Sequence, residues 1–185
     1  VAFTDGCSFE VSFEQDFLDT LDTGDQIVVT YKATVNTDAV VGGEGNPNTT
    51  NLTYGNNQRT TNDTTKTYTW SFDVLKYGNG DKSKVLSDTQ FVLLNSDTTK
   101  VAVFANEKFS SWADVPTAGT DGTITWPANT LLTTNAQGKI DIAGLDADTY
   151  YLREIQAPAG YNKLANDVAV EIEPTKNNDG KTLTL

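Results

Sequence analysis

The stretch from Tyr150 to Tyr161, Tyr-Tyr-Leu-Arg-Glu-Ile-Gln-Ala-Pro-Ala-Gly-Tyr, constrains this chain more than any other. Side chains on a strand alternate between faces, so Tyr150, Leu152 and Glu154 point the same way, and that face is apolar apart from Glu154. A carboxylate on the buried face of a strand is costly unless it is paired, hydrogen-bonded or protonated, so its presence needs a reason. Ala157, Pro158, Ala159 and Gly160 then stop the strand, because proline lacks a ladder N–H and glycine permits a sharp change of direction.

A second stretch departs from its pattern in the complementary sense. From Tyr68 the chain reads Tyr-Thr-Trp-Ser-Phe-Asp-Val-Leu-Lys, which sets Tyr68, Trp70, Phe72, Val74 and Lys76 on one face and Thr69, Ser71 and Asp73 on the other. Two readings compete. In one, Lys76 sits at a strand end and snorkels to water while Glu154 caps a turn. In the other, the two are neighbours on buried faces and govern each other's protonation.

Lys76, the run Gly-Lys-Ile-Asp-Ile-Ala-Gly-Leu at 138–145 and the run Tyr150–Tyr161 together resemble a CnaB-type domain of a sortase-assembled Gram-positive pilin shaft subunit of the Spa type. The last run resembles the E-box of that family, the most specific part of a likeness that covers residues 67–185. The resemblance implies an intramolecular isopeptide bond between a lysine on the first strand and an asparagine on the last. Lys76 would be the linking amine and Glu154 the acid that assists. The chemistry is coherent, since an amine is nucleophilic only when neutral and burial disfavours charge on amine and carboxyl alike. The amine would attack the amide carbon, the protonated carboxyl would polarise the amide oxygen and relay protons, and ammonia would leave. This is a single turnover of the protein on itself, so no enzyme acting on an external substrate is implied.

The first half carries a weaker likeness. Val-Thr-Tyr-Lys-Ala-Thr-Val-Asn, Gly-Asn-Pro-Asn-Thr and Leu-Thr-Tyr-Gly-Asn resemble the end of the domain that precedes the CnaB module in such shafts. There too an asparagine near the last strand would accept a lysine. Strand parity selects Asn56, with Asn48 and Asn51 as competitors and a plain turn asparagine as the alternative. Lys32 falls opposite the apolar face of its strand and reads as a solvated charge.

The expected fold class is all-β, with Ig-like (CnaA/CnaB-type) β-sandwich domains in tandem and the first one incomplete. Residues 1–57 are expected to be the C-terminal part of one domain, 58–66 a polar linker, and 67–185 a CnaB-type domain lacking the end of its last strand. The acceptor for Lys76 is expected beyond residue 185, because Asn177 and Asn178 fall in the preceding hairpin. No mass loss involving Lys76 is therefore expected of these 185 residues alone. The Leu-Pro-x-Thr-Gly sorting signal and the pilin-motif lysine are also missing from the sequence.

Composition narrows the function further. A net charge of −12 argues against nucleic acid or an anionic membrane as partner. The absence of histidine removes the commonest general base and transition-metal ligand, so no cofactor or metal site is expected. A single cysteine, Cys7, and no methionine suit an exported protein stabilised without disulfides. Cys7 reads as a small buried residue. The sequons at Asn48, Asn51 and Asn62 read as incidental in so Thr-rich a chain.

Along the chain, strands are expected at 8–14 and 25–36, the latter with Ile27, Val29, Tyr31, Ala33 and Val35 on one face, and a short helix between Gln15 and Leu21. A strand is expected at 49–56 and a surface loop at 77–88, where Gly78 to Asp81 form a plain turn in preference to a calcium site. Strands at 90–94 and 100–105 should pair around a turn at 95–99. Phe109 and Trp112 at helical spacing suggest a short helix over 107–115, and short strands are expected at 123–126, 130–133 and 139–142. Val168, Val170 and Ile172 should form a further inward face, followed by a hairpin at Asn177, Asn178, Asp179 and Gly180.

The function that follows is a structural subunit of a covalently assembled, cell-wall-attached extracellular fimbrium, with neighbouring pilin subunits joined by sortase as partners. The alternative is an adhesin module binding host matrix or glycan. An exposed aromatic patch around Trp112 and Trp126 would favour the adhesin, and burial of both the structural role.

Overall fold

The computed structural model describes residues 8–176 and 183–184. Cys7 and the hairpin residues Asn177, Asn178, Asp179 and Gly180 lie outside the described residues. The chain divides after Thr34 into two compact units.

The first unit contains one short helix, α1 (Gln15–Leu18), where a short helix was expected. Beyond it the Asp25 amide donates to the Asp22 carbonyl at 3.0 Å, closing a turn. Phe9 meets Tyr31 edge-on with ring centroids 4.9 Å apart. The strands expected at 8–14 and 25–36 are corrected: among the described residues neither stretch joins a ladder. Alternation specifies a face, but a strand also needs a neighbour to take up its N–H and C=O groups.

The second unit is all-β. Its strands are β1 (Asn46–Thr50), β2 (Thr53–Tyr54), β3 (Gln58–Arg59), β4 (Asp63–Thr67), β5 (Trp70–Leu75), β6 (Tyr77–Gly78), β7 (Asp81–Val85) and β8 (Gln90–Leu94). They continue as β9 (Lys100–Ala105), β10 (Lys108–Asp114), β11 (Leu132–Thr133), β12 (Lys139–Leu145), β13 (Thr149–Gln156), β14 (Val168–Glu171), β15 (Thr175–Lys176) and β16 (Leu183–Thr184).

Several expectations change at this level. The strand expected over 49–56 breaks after Thr50, and the stretch 58–66, expected as a linker, contributes β3 and most of β4. β4 pairs antiparallel with β1 from Asn46↔Thr67 to Thr50↔Asp63. Threonine favours the pleated backbone, and the facing hydroxyls of Thr49 and Thr64 meet at 3.0 Å, so this largely exposed ladder forms without an apolar face. The 77–88 loop is a hairpin of β6 and β7. Its turn residues Asn79 and Gly80, at φ 55° and 72°, supply the two left-handed positions that a two-residue hairpin turn requires.

Where a helix was expected over 107–115, residues 108–114 form β10. The ladder with β9 slips between Phe109↔Phe104 and Ser111↔Val103, so Ser110 is the extra residue of a bulge. That bulge brings Phe109 and Trp112 together, with centroids 4.9 Å apart, which is why a spacing of three residues imitated a helix. Residues 123–126 form no strand, and the expected strand at 130–133 is limited to β11. The β8–β9 pairing around the 95–99 turn forms as expected, through Leu94↔Val101.

The main sheet runs β14-β13-β8-β9-β10-β12-β5, with β11 also on β8. β12 meets β10 through one parallel pair, Lys108↔Ala143, and otherwise pairs antiparallel with β5. The principal core gathers Trp70, Phe91, Leu93, Ile140, Ile142, Tyr150 and Leu152. A second cluster, Val92, Leu94 and Val101, packs against Val115, Trp126, Tyr151 and Ile155. β8 is thus buried on both faces, which is the reason its sequence is an unbroken apolar run after Gln90.

Candidate functional site

β13 shows the expected alternation, with Tyr150, Leu152 and Glu154 buried and the residues between them partly exposed. The ladder to β8 runs Leu152↔Leu93, Arg153↔Val92 and Glu154↔Phe91, then skips to Gln156↔Gln90. Ile155 is therefore the extra residue of a bulge that begins at Glu154. Bulges bend a strand and re-aim its side chains.

Lys76 follows directly on β5, and its main chain is held on both sides. Its amide donates to the Gly138 carbonyl at 2.8 Å and its carbonyl accepts from the Leu86 amide at 2.9 Å. Gly138, at φ +71°, comes so near that a Cβ there would lie 2.7 Å from the Lys76 carbonyl oxygen. With its backbone fixed in this way, the Lys76 side chain reaches inward.

Lys76 Nζ donates to Glu154 Oε2 at 3.1 Å. The Glu154 side chain is 0% exposed and that of Lys76 14%. The ammonium end lies 5.9 Å from the centre of the Phe91 ring, which faces it from the strand opposite Glu154. Oε2 also accepts the Leu164 amide at 2.9 Å, whereas Oε1, equally buried, accepts no hydrogen bond among the described residues. Of the two sequence readings, the geometry fits the one in which Lys76 and Glu154 are buried neighbours, with Glu154 accepting a loop amide besides.

An amine and a carboxyl at this distance in a dry setting can exchange a proton directly, and the free Oε1 can address a third group. Breaking such a pair leaves a lone buried charge, whereas keeping it requires both partners to stay desolvated. The partners that sequence reasoning missed are the Leu164 amide, the Phe91 ring and the bulge at Ile155. Main-chain donors and bulges leave no residue-type signal, and only the apolar run containing Phe91 was legible.

Asn56 lies elsewhere, at the exposed tip of the β2–β3 hairpin between Gly55 and Asn57, which have φ of 51° and 59°. The parity argument that selected it assumed a strand running through residue 56. Asn48 is on β1, and Asn51 accepts from Arg59 Nε at 2.8 Å. In the β6–β7 turn, Asp81 accepts from the Ser83 hydroxyl at 2.6 Å and the Ser83 amide at 3.0 Å, which hold its carboxyl below the usual carboxylate range. Among the described residues no group of three or more acidic, cysteine or histidine side chains could hold a metal ion. Trp112 is exposed, at 39%, and stacks on Tyr150 at 6.3 Å, while Trp126 is partly buried and packs on the second core cluster. Among the described residues no helix is long and apolar enough to cross a membrane.

An all-β unit with a lysine and a glutamate paired inside its principal core defines a class of sandwich module. The chain belongs to the family of the SpaA prealbumin-like fold domain, which matches residues 70–184. It is 30% identical over 186 residues to the trypsin-resistant surface T6 protein of Streptococcus pyogenes serotype M6, covering 95% of this chain and 32% of that protein. The chain thus spans about a third of the length of this relative. Among solved structures, the 35 kDa C-terminal fragment of the major pilin GBS80 of Streptococcus agalactiae matches with a TM-score of 0.53 and 21% identity, over 82% of this chain and 49% of that one. The T6 backbone pilin of Streptococcus pyogenes, described as a modular three-domain structure, matches with a TM-score of 0.51 and 19% identity over 74% of this chain and 26% of that one. At these identities the two structures establish a shared fold.

Proposed function

We propose that this chain is part of a structural subunit of an extracellular, covalently assembled surface pilus, and that Lys76 is the linking amine of an autocatalytic isopeptide bond. The observation that carries this reading is Lys76 Nζ at 3.1 Å from a buried Glu154 whose second oxygen has no hydrogen-bond partner among the described residues. Nζ attacks the side-chain carbonyl carbon of an asparagine, the new C–N bond forms as the C–Nδ2 bond breaks, and Glu154 carries the proton from the amine to the departing nitrogen. Ammonia leaves and nothing is oxidised or reduced. Neighbouring pilin subunits joined by sortase are the partners, and attachment to the cell wall is the location. In this reading residues 1–57 end a preceding sandwich domain and 67–185 are the CnaB-type domain.

Intact mass and peptide mapping of the mature full-length protein test it. The expected result is a deficit of about 17 Da for the expelled ammonia, with Lys76 in a branched peptide, and its loss in Glu154→Gln and Lys76→Arg. A linear Lys76 peptide in the mature wild type overturns the proposal. The role of Asn56 as acceptor in the preceding domain rests on resemblance alone. The same map decides it, since a branched peptide containing Asn56 supports that role and a linear one removes it.

A further inference from the structure

The segment between β13 and β14 is tied at three places around the Lys76–Glu154 pair. At its base, Arg153 grips Asp167 with Nε at 3.0 Å from Oδ1 and Nη2 at 2.8 Å from Oδ2. At its tip, the Tyr161 amide donates to the Pro158 carbonyl at 3.1 Å, and Gly160, at φ +86°, supplies the left-handed third position of that turn. The Tyr161 ring then rests on Gly78, two residues beyond Lys76. A Cβ on Gly78 would lie 2.6 Å from the ring Cε1 and 2.7 Å from the hydroxyl oxygen. Between these anchors, the Leu164 amide reaches Glu154 Oε2 at 2.9 Å.

We propose that residues 157–167 are a strap that fixes which oxygen of Glu154 does what, with Tyr161 as its positioning residue. Oε2 already accepts two N–H donors, from Lys76 and Leu164, so it is the wrong oxygen to bear a hydroxyl proton. Before attack Oε1, buried and without a hydrogen-bond partner among the described residues, is left to bear the proton that goes to the acceptor amide, and Oε2 takes up the amine's proton only as the new C–N bond forms. The strap therefore divides the carboxyl into an amine-binding side and a proton-carrying side before any acceptor arrives. Tyr161 acts through the strap, by holding the Leu164 amide in place. This inference rests on the isopeptide reading above.

Gly78→Ala tests it, because the new methyl occupies the place of the Tyr161 ring tip without altering Lys76 or Glu154. The measurement is the rate of the Lys76-linked mass loss in newly made full-length protein, followed across pH. Gly78→Ala and Tyr161→Ala are expected to slow the loss about tenfold or more and to alter its pH profile, as a displaced catalytic group does. Tyr161→Phe keeps the ring on Gly78 and is expected to react at nearly the wild-type rate. In a Lys76→Ala background, where no bond forms, Gly78→Ala is expected to leave the Tm nearly unchanged. Wild-type rates in Gly78→Ala and Tyr161→Ala overturn the strap while leaving the isopeptide reading intact. So does slowing with an unchanged pH profile and a matching fall in Tm, which marks a merely structural role. A mature wild type with no Lys76 linkage overturns both.

Discussion

Residues 25–36 and residues 149–156 are written in the same alternating code, and they end in opposite conditions. In the first, Ile27, Val29 and Tyr31 are 41%, 48% and 51% exposed, and no ladder forms among the described residues. In the second, Tyr150, Leu152 and Glu154 are 3%, 4% and 3% exposed, within a strand paired on both edges by β8 and β14. The second stretch is the more polar of the two on its inward face, yet it is the one that is buried. Burial is therefore decided by neighbouring strands and not by the apolarity of the stretch itself. A carboxylate can be carried into a core by a strand whose other contacts are strong enough.

Hydrogen exchange should expose this contrast most sharply. Amides of β8 and β13 are expected to exchange only on global opening, and those of 25–34 at least about a thousandfold faster, the ratio implied by a domain stability of about 5 kcal/mol. Equal protection in the two regions would break the comparison. A smaller but still large difference is expected in urea denaturation. Leu93→Ala, at a fully buried position of β8, should cost about 3 kcal/mol, whereas Val29→Ala should stay within about 0.5 kcal/mol.

The smallest effect concerns Tyr150, whose hydroxyl donates to the Asp146 carbonyl at 2.9 Å. Burial, then the charges of Asp146 and Asp148, push its phenol well above the ordinary tyrosine value. A folded value raised above the unfolded one means that the native state holds the proton more tightly. Its contribution is complete below about pH 10 and falls as pH rises further. Tyr150→Phe should cost about 1 kcal/mol at neutral pH and should flatten the alkaline loss of stability, read from urea midpoints on either side of about pH 10.

The parts of the fold that were legible are those where local pattern and tertiary partner agree. The β8 run, the β8–β9 turn and the face of β13 were all readable, whereas pattern left the pairing of Lys76 with Glu154 as one of two readings and the family resemblance selected it. What escaped was set by geometry that residue types do not encode. The bulge at Ser110 disguised a strand as a helix, and the β1–β4 ladder hid in two segments rich in threonine and asparagine that present no apolar face. Conversely, 25–36 advertised a strand for which the described residues supply no partner. The anchors on Glu154 were invisible for the same reason, since one is a main-chain amide.

Gly138 carries one implication for how such a module diverges over time. It shares no atom with the chemistry proposed for Lys76, yet its bare backbone is wedged against the carbonyl of that residue, and any side chain would shove the amine off its mark. Descendants of this sequence are thus free to redraw most of the turn around residue 138 but not the one position that has nothing to show, so that a missing side chain would be inherited as strictly as a reactive one.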